Sequence, residues 1–145
     1  MRYDAGTCDI AVVGAGHAGI EAALAAARLM KARNIGSIPV CGDDGQLTGM
    51  LTDRDIVVRC VAPGADPGAV KIAAVMTPGA VTVTPADEVD AALARMTHEQ
   101  VRRLPVVQDG RLVGMLSIAD VARSRRCDME AARALCGITS NVCRR

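Results

Sequence analysis

Aromatic side chains are almost missing from this chain: it has no Phe, no Trp and a single Tyr, Tyr3, in 145 residues. Its core must therefore be aliphatic, and the flat rings on which nucleic-acid bases stack are nearly absent. Excess charge is missing as well. Seventeen Lys and Arg stand against 16 Asp and Glu, for a net charge of +1, so there is no electrostatic footprint for DNA, RNA or an anionic membrane. The C-terminal arginines Arg123, Arg125, Arg126, Arg133, Arg144 and Arg145 read as a solvated helix face and tail. No apolar run reaches the roughly 18 residues that span a bilayer, because Glu21 and Arg28 interrupt the Ala-rich stretch. A signal-peptide layout is also missing, which gives the expectation of a cytoplasmic protein. The six cysteines, Cys8, Cys41, Cys60, Cys127, Cys136 and Cys143, form no CxxC pair, and His17 and His98 complete no zinc spacing. No metal is expected, and the thiols read as small buried or idle groups. A disulfide between Cys8 and Cys41 is the alternative.

What the chain does have is hydrophobic content, 50% of its residues, and an internal repeat. DGQLTGMLTDRDIV, residues 44–57, lies over DGRLVGMLSIADVA, residues 109–122, at an offset of 65. Just upstream, IPV at 38–40 lies over LPV at 104–106 at an offset of 66, so the first copy carries one extra loop residue. Met30 and Met96 share that offset. In the second copy Val89, Ala92, Leu93 and Met96 mark one apolar helix face. RRLPVV then reads as a strand, QDGR as an Asp-Gly turn, LVGMLS as the returning strand and SIADVARSR as a second helix. The first copy repeats this order, with a helix to about Asn34, strands SIPVC and LTGML, and a helix from TDRDIVVRCV.

The expected fold class is α+β, two β-α-β-β-α repeats packed sheet against sheet, the first with an atypical lead segment. Expected boundaries are an N-terminal strand and Gly-rich loop over 1–24, repeat one over 25–62, and a Gly/Pro-rich linker over 63–73. Repeat two follows over 74–126, led by a strand in VMTPGAVTVTPAD, then a C-terminal helix and tail over 127–145. The last helix is expected around 129–135 and ends at Gly137. Ile10 to Val13 is expected to replace the missing lead strand of repeat one, displaced by about one helical turn.

At Thr52 and Ser117 a strand ends and a helix begins, with Asp55 and Asp120 three residues on. This is the pattern of a capping box. A helix start also offers N–H groups to phosphate, and a fixed carboxylate can accept both hydroxyls of a ribose. Gly49 and Gly114 would allow close approach beside such a site. The Ile/Leu-Pro-Val strand, Asp-Gly turn and Gly-x-Leu-Thr/Ser-x-x-Asp helix start resemble the cystathionine β-synthase (CBS) domain. Over residues 25–125 they resemble a tandem pair, or Bateman module, similar to the small stand-alone CBS-pair proteins that include the hypoxic response proteins. The resemblance implies adenine-nucleotide binding between the repeats and regulation without catalysis or a required cofactor. Carried over, Ser37, Ile38, Thr52 and Asp55 would line one site, and Arg103, Leu104, Ser117 and Asp120 the other. Arg54 could meet phosphate, where the second copy has Ala119. A homodimer and a regulated protein partner are implied, with neither nucleic acid nor membrane as a partner.

Residues 1–29 resemble another family, the FAD-dependent tRNA uridine-modifying enzymes of the glucose-inhibited division protein A type. Gly14, Gly16 and Gly19 in VVGAGHAG have the spacing of a dinucleotide-binding turn, and Asp43 or Asp44 follows somewhat over 20 residues later. An FAD- or NAD-binding oxidoreductase-like fragment using these glycines is thus the first alternative. A CBS scaffold without a ligand is the second. Against the flavin reading, every segment from Asn34 to Arg123 is claimed by the repeat, which leaves no further parallel strands.

Overall fold

A computed structural model describes residues 13–14, 22–123 and 128–139 of the chain. These fall into two compact units that divide after Ala80, with residues 110–112 grouped with the first. The architecture is α+β.

The first unit runs β1 (Val13–Gly14), α1 (Ala23–Arg33), β2 (Ser37–Cys41), β3 (Leu47–Thr52), α2 (Asp53–Ile56), α3 (Ile72–Val75) and β4 (Thr77–Pro78). Beyond Ile56, α2 continues as a wide π turn over Val57–Val61. The sheet order is β1-β2-β3-β4, parallel between the first two strands and antiparallel afterwards. Met30, Ile38, Val40, Leu51, Ile56 and Ile72 are buried against one another, the aliphatic core that the absence of rings demands. Cys41 is buried too, and burial pushes its thiol above the usual value, with the Asp44 carboxylate acting in the same direction. Cys8 lies outside the described residues.

Helix α1 ends as its sequence implies. Lys31 and Arg33 occupy the last turn, Asn34 turns left-handed at φ 53, and the Ile35 N–H donates to the Met30 carbonyl at 3.0 Å, closing the helix end. Its start has no side-chain cap. The N–H groups of Ala23 and Leu24 donate instead to the carbonyls of Val70 and Pro67, at 3.0 and 2.9 Å. The Gly/Pro-rich segment expected as a linker is therefore a capping loop for α1, and Ile72 and Val75 behind it enter the first core. The compact units accordingly divide after Ala80.

The second unit contains α4 (Val89–Glu99), β5 (Arg103–Gln108), β6 (Arg111–Ser117), α5 (Ile118–Arg123) and α6 (Asp128–Thr139). The repeat is visible bond by bond. Gln100 turns left-handed at φ 57 and the Val101 N–H donates to the Met96 carbonyl at 3.0 Å, as Ile35 does to Met30. The lead segment TPGAVTV is divided: β4 pairs with β3, whereas Val83 bridges Val106 in parallel. Val13 pairs in parallel with Val40, the residue corresponding to Val106. The first copy thus fills its lead position from four residues further upstream, as expected, and Gly14 belongs to that strand and not to a loop.

Two glycines act differently from expectation. Helix α6 runs through Gly137 to Thr139 and does not end there. A Cβ at Gly137 would lie 2.5 Å from Thr97 Cγ2, so this glycine sets how closely α6 crosses α4. A Cβ at Gly49 would lie 2.5 Å from the Thr77 carbonyl oxygen and 3.2 Å from Pro78 Cα. The close approach that Gly49 permits is therefore by β4, not by a ligand.

The corresponding Gly114 meets only the Val106 side chain, at 3.5 Å, an ordinary contact. Gly49→Ala should therefore lower unfolding stability by about 1–3 kcal/mol, while Gly114→Ala should change it by less than about 0.5 kcal/mol. Urea unfolding of both variants, compared at unchanged slope, checks the difference; equal midpoints would refute it.

Candidate functional site

Strand β3 ends at Thr52 in extended backbone, and the chain turns directly into α2. The Asp55 N–H donates to Thr52 Oγ1 at 3.1 Å. In return Asp55 Oδ2 accepts from the Thr52 N–H at 2.9 Å and from the Thr52 hydroxyl at 2.6 Å. The capping box expected from the sequence is complete. The second copy builds the same figure: the Asp120 N–H donates to Ser117 Oγ at 3.2 Å, and Asp120 Oδ2 accepts from the Ser117 N–H at 2.9 Å and from its hydroxyl.

In both copies the second carboxylate oxygen meets an arginine. Asp55 Oδ1 lies 3.3 Å from Arg59 Nη1, and Asp120 Oδ1 accepts from Arg123 Nη1 at 3.1 Å. Sequence reading missed both arginines, although they stand four and three residues on, within reach along a helix face. The same Arg59 nitrogen also donates to the Val75 carbonyl at 2.8 Å and to Thr77 Oγ1 at 3.1 Å.

The structure places the expected site residues in different surroundings. Ser37 lies directly across the ladder from Thr52, so those two stand together. Ile38 and Leu104 are core residues, 0% and 1% exposed, and only their backbone can face a ligand. Arg54 and Arg103 are exposed. Phosphate capture by the N–H groups of the helix start is not supported in the first copy. The Asp53 N–H is taken by the Gly36 carbonyl, that of Arg54 by Asp53 Oδ1 and that of Asp55 by Thr52. Among the described residues a cavity of about 440 Å³ lies between α1 and α2, with Asp53 and Lys31 on its wall and none of the expected site residues. No group of three or more His, Cys, Asp or Glu that could hold a metal occurs among the described residues.

For the flavin alternative, Gly14 sits in β1, while Gly16, Gly19 and His17 lie outside the described residues. The strand beside β2 is antiparallel, so the described sheet holds one parallel pair where a dinucleotide-binding sheet continues in parallel. Asp44, the candidate ribose acid on that reading, accepts from the Gln46 N–H in the hairpin turn.

A family model for the CBS domain matches residues 21–61 and 72–126. The chain belongs to the CBS domain family. Within it, the chain is 42% identical over 103 residues to Hypoxic response protein 1 of Mycobacterium tuberculosis, covering 71% of this chain and 72% of that one. It is also similar to a crystal structure of Hypoxic Response Protein I with two coordinated zinc ions, with 39% identity, a TM-score of 0.71, and 79% and 90% of the two chains covered. A CBS domain protein from Pyrobaculum aerophilum, solved with AMP, shares the fold at a TM-score of 0.76 and 23% identity over 89% of this chain and 95% of that one. Both CBS copies contain a capping box, and the family match begins after Gly19.

Because each box satisfies two backbone N–H groups, Thr52→Ala and Ser117→Ala should each cost about 1 kcal/mol of stability. Thermal unfolding of the two variants measures this; no loss in either would show that the boxes do not cap.

Proposed function

We propose that this chain is a non-catalytic regulatory module that binds an adenine nucleotide of the AMP or ATP kind and passes the binding event to a protein partner. The observation that carries this reading is the duplicated carboxylate, Asp55 and Asp120, fixed on one oxygen by its own capping box. The other oxygen meets an arginine side chain and lies outside the capping box, so it can turn to a ribose diol without breaking the helix start. Family membership supports the same reading, as does the AMP bound by a relative of the same fold. Ser37, Thr52 and Asp55 form the first site, with the backbone of Ile38 and the exposed Arg54 beside them. Ser117, Asp120, Arg103 and the backbone of Leu104 form the second.

The module acts as a cytoplasmic homodimer on this reading. Val57, Val58 and Val61 are each more than half exposed on the π turn, and a second copy would remove them from water. No helix among the described residues is long and apolar enough to cross a membrane.

Calorimetric titration of the full chain with AMP, ATP and S-adenosylmethionine tests the proposal. Binding of at least one is expected. Asp55→Asn and Asp120→Asn, which keep the shape of the side chain, should each weaken it by roughly tenfold to a hundredfold. No heat with any of the three favours the ligand-free scaffold, and flavin absorbance in the purified protein favours the dinucleotide reading.

A further inference from the structure

Arg59 touches two things at once. One terminal nitrogen lies 3.3 Å from Asp55 Oδ1 and donates to the Val75 carbonyl and Thr77 Oγ1 at 2.8 and 3.1 Å. Val75 ends α3 and Thr77 opens β4, whose two residues pair with Gly49 and Met50 of β3. Among the described residues Asp55 is connected to that segment through the guanidinium. The π turn over Val57–Val61 carries Arg59, and such local widenings of a helix recur at functional sites. Val75 is buried in the first core, so this end of the clasp is fixed. The Asp55 end is a carboxylate with one oxygen committed to its cap and the other meeting Arg59.

We propose that Arg59 is a positioning residue that aims Asp55 Oδ1 and couples whatever binds it to the docking of residues 75–79 on β3. The coupling rests on the nucleotide reading only for the identity of the ligand. A diol that takes Oδ1 competes with the Arg59 nitrogen for that oxygen, and the guanidinium, no longer anchored by Asp55, loosens its hold on Val75 and Thr77. Because β4 has only two residues, and Gly79 adds one further bond, its N–H to the Thr48 carbonyl at 3.3 Å, the segment is held by few interactions. A single side-chain donor is therefore a large part of what fixes it.

Amide hydrogen exchange on the full chain, with and without AMP, tests this. Asp55→Asn should speed exchange at the amides of Met76, Thr77 and Gly79 by roughly threefold to tenfold, and Arg59→Gln should do the same. Asp53→Asn removes a carboxylate from the same first turn without reaching Arg59, and should leave 76–79 unchanged. AMP should alter protection at 76–79 in the native chain and not in Arg59→Gln. The relay is overturned if Asp55→Asn leaves these amides unaffected, or if Asp53→Asn loosens them equally. If the native chain binds neither AMP nor ATP while Asp55→Asn still loosens 76–79, the relay stands and the nucleotide reading fails.

Discussion

A carboxylate held on one oxygen by its own helix start, and on the other by an arginine one turn further along, is the constraint on which the rest of this structure turns. At Thr52 and Asp55 it closes the end of β3, satisfies first-turn N–H groups that would otherwise need water, and fixes the direction in which α2 leaves the sheet. The same device at Ser117 and Asp120 does this for the second copy. A strand that passes into a helix with no loop between them has little freedom, and the acceptor geometry at that point is consequently built in advance. That preorganisation is why these residues are stronger candidates for ligand recognition than Arg54 or Arg103, whose exposed side chains must lose rotamer freedom before they can hold anything.

Much of this was legible in the sequence because the relevant signals are local and appear twice. The strand at Ser37–Cys41 and the helix ending at Arg33 fall where the repeat requires them. The Asp-Gly turn of the second copy has both residues left-handed, at φ 52 and φ 79, as the tight hairpin type demands. The one-residue difference between the offsets 65 and 66 falls among residues 41–43, at the end of β2 and the start of its hairpin turn. The capping boxes were legible for the same reason. A hydroxyl and a carboxylate three residues apart have few other uses at the end of a strand.

What escaped the sequence depends on backbone groups and distant neighbours. Nothing in the residue types of Pro67 and Val70 announces that their carbonyls cap α1, because any residue supplies a carbonyl. Gly137 reads as a helix stop, and only the position of Thr97 on another helix reveals it as a packing residue. Gly49 reads as room for a ligand until β4 is found against it. Arg59 looks like one more solvated cation; its role depends on Val75 and Thr77, 16 and 18 residues away. Ile38 and Leu104 show the converse. Their place in the motif does not say which face of the strand their side chains occupy, and both side chains are buried.

The two copies share a motif, but their ion pairs do not have equal weight. The Asp55 side chain is 14% exposed and that of Arg59 44%, against 31% and 78% for Asp120 and Arg123. An ion pair gains little when both groups remain in water, and more as solvent is excluded. The first pair is also anchored at its far end by Val75 and Thr77, so Arg59 surrenders less freedom on engaging Asp55 than Arg123 does on engaging Asp120. On the proposed reading, a ligand would therefore displace a better-anchored arginine in the first copy than in the second. Near-identical motifs thus carry one well-anchored and one more exposed ion pair, an asymmetry set by surrounding residues that the motif itself does not contain.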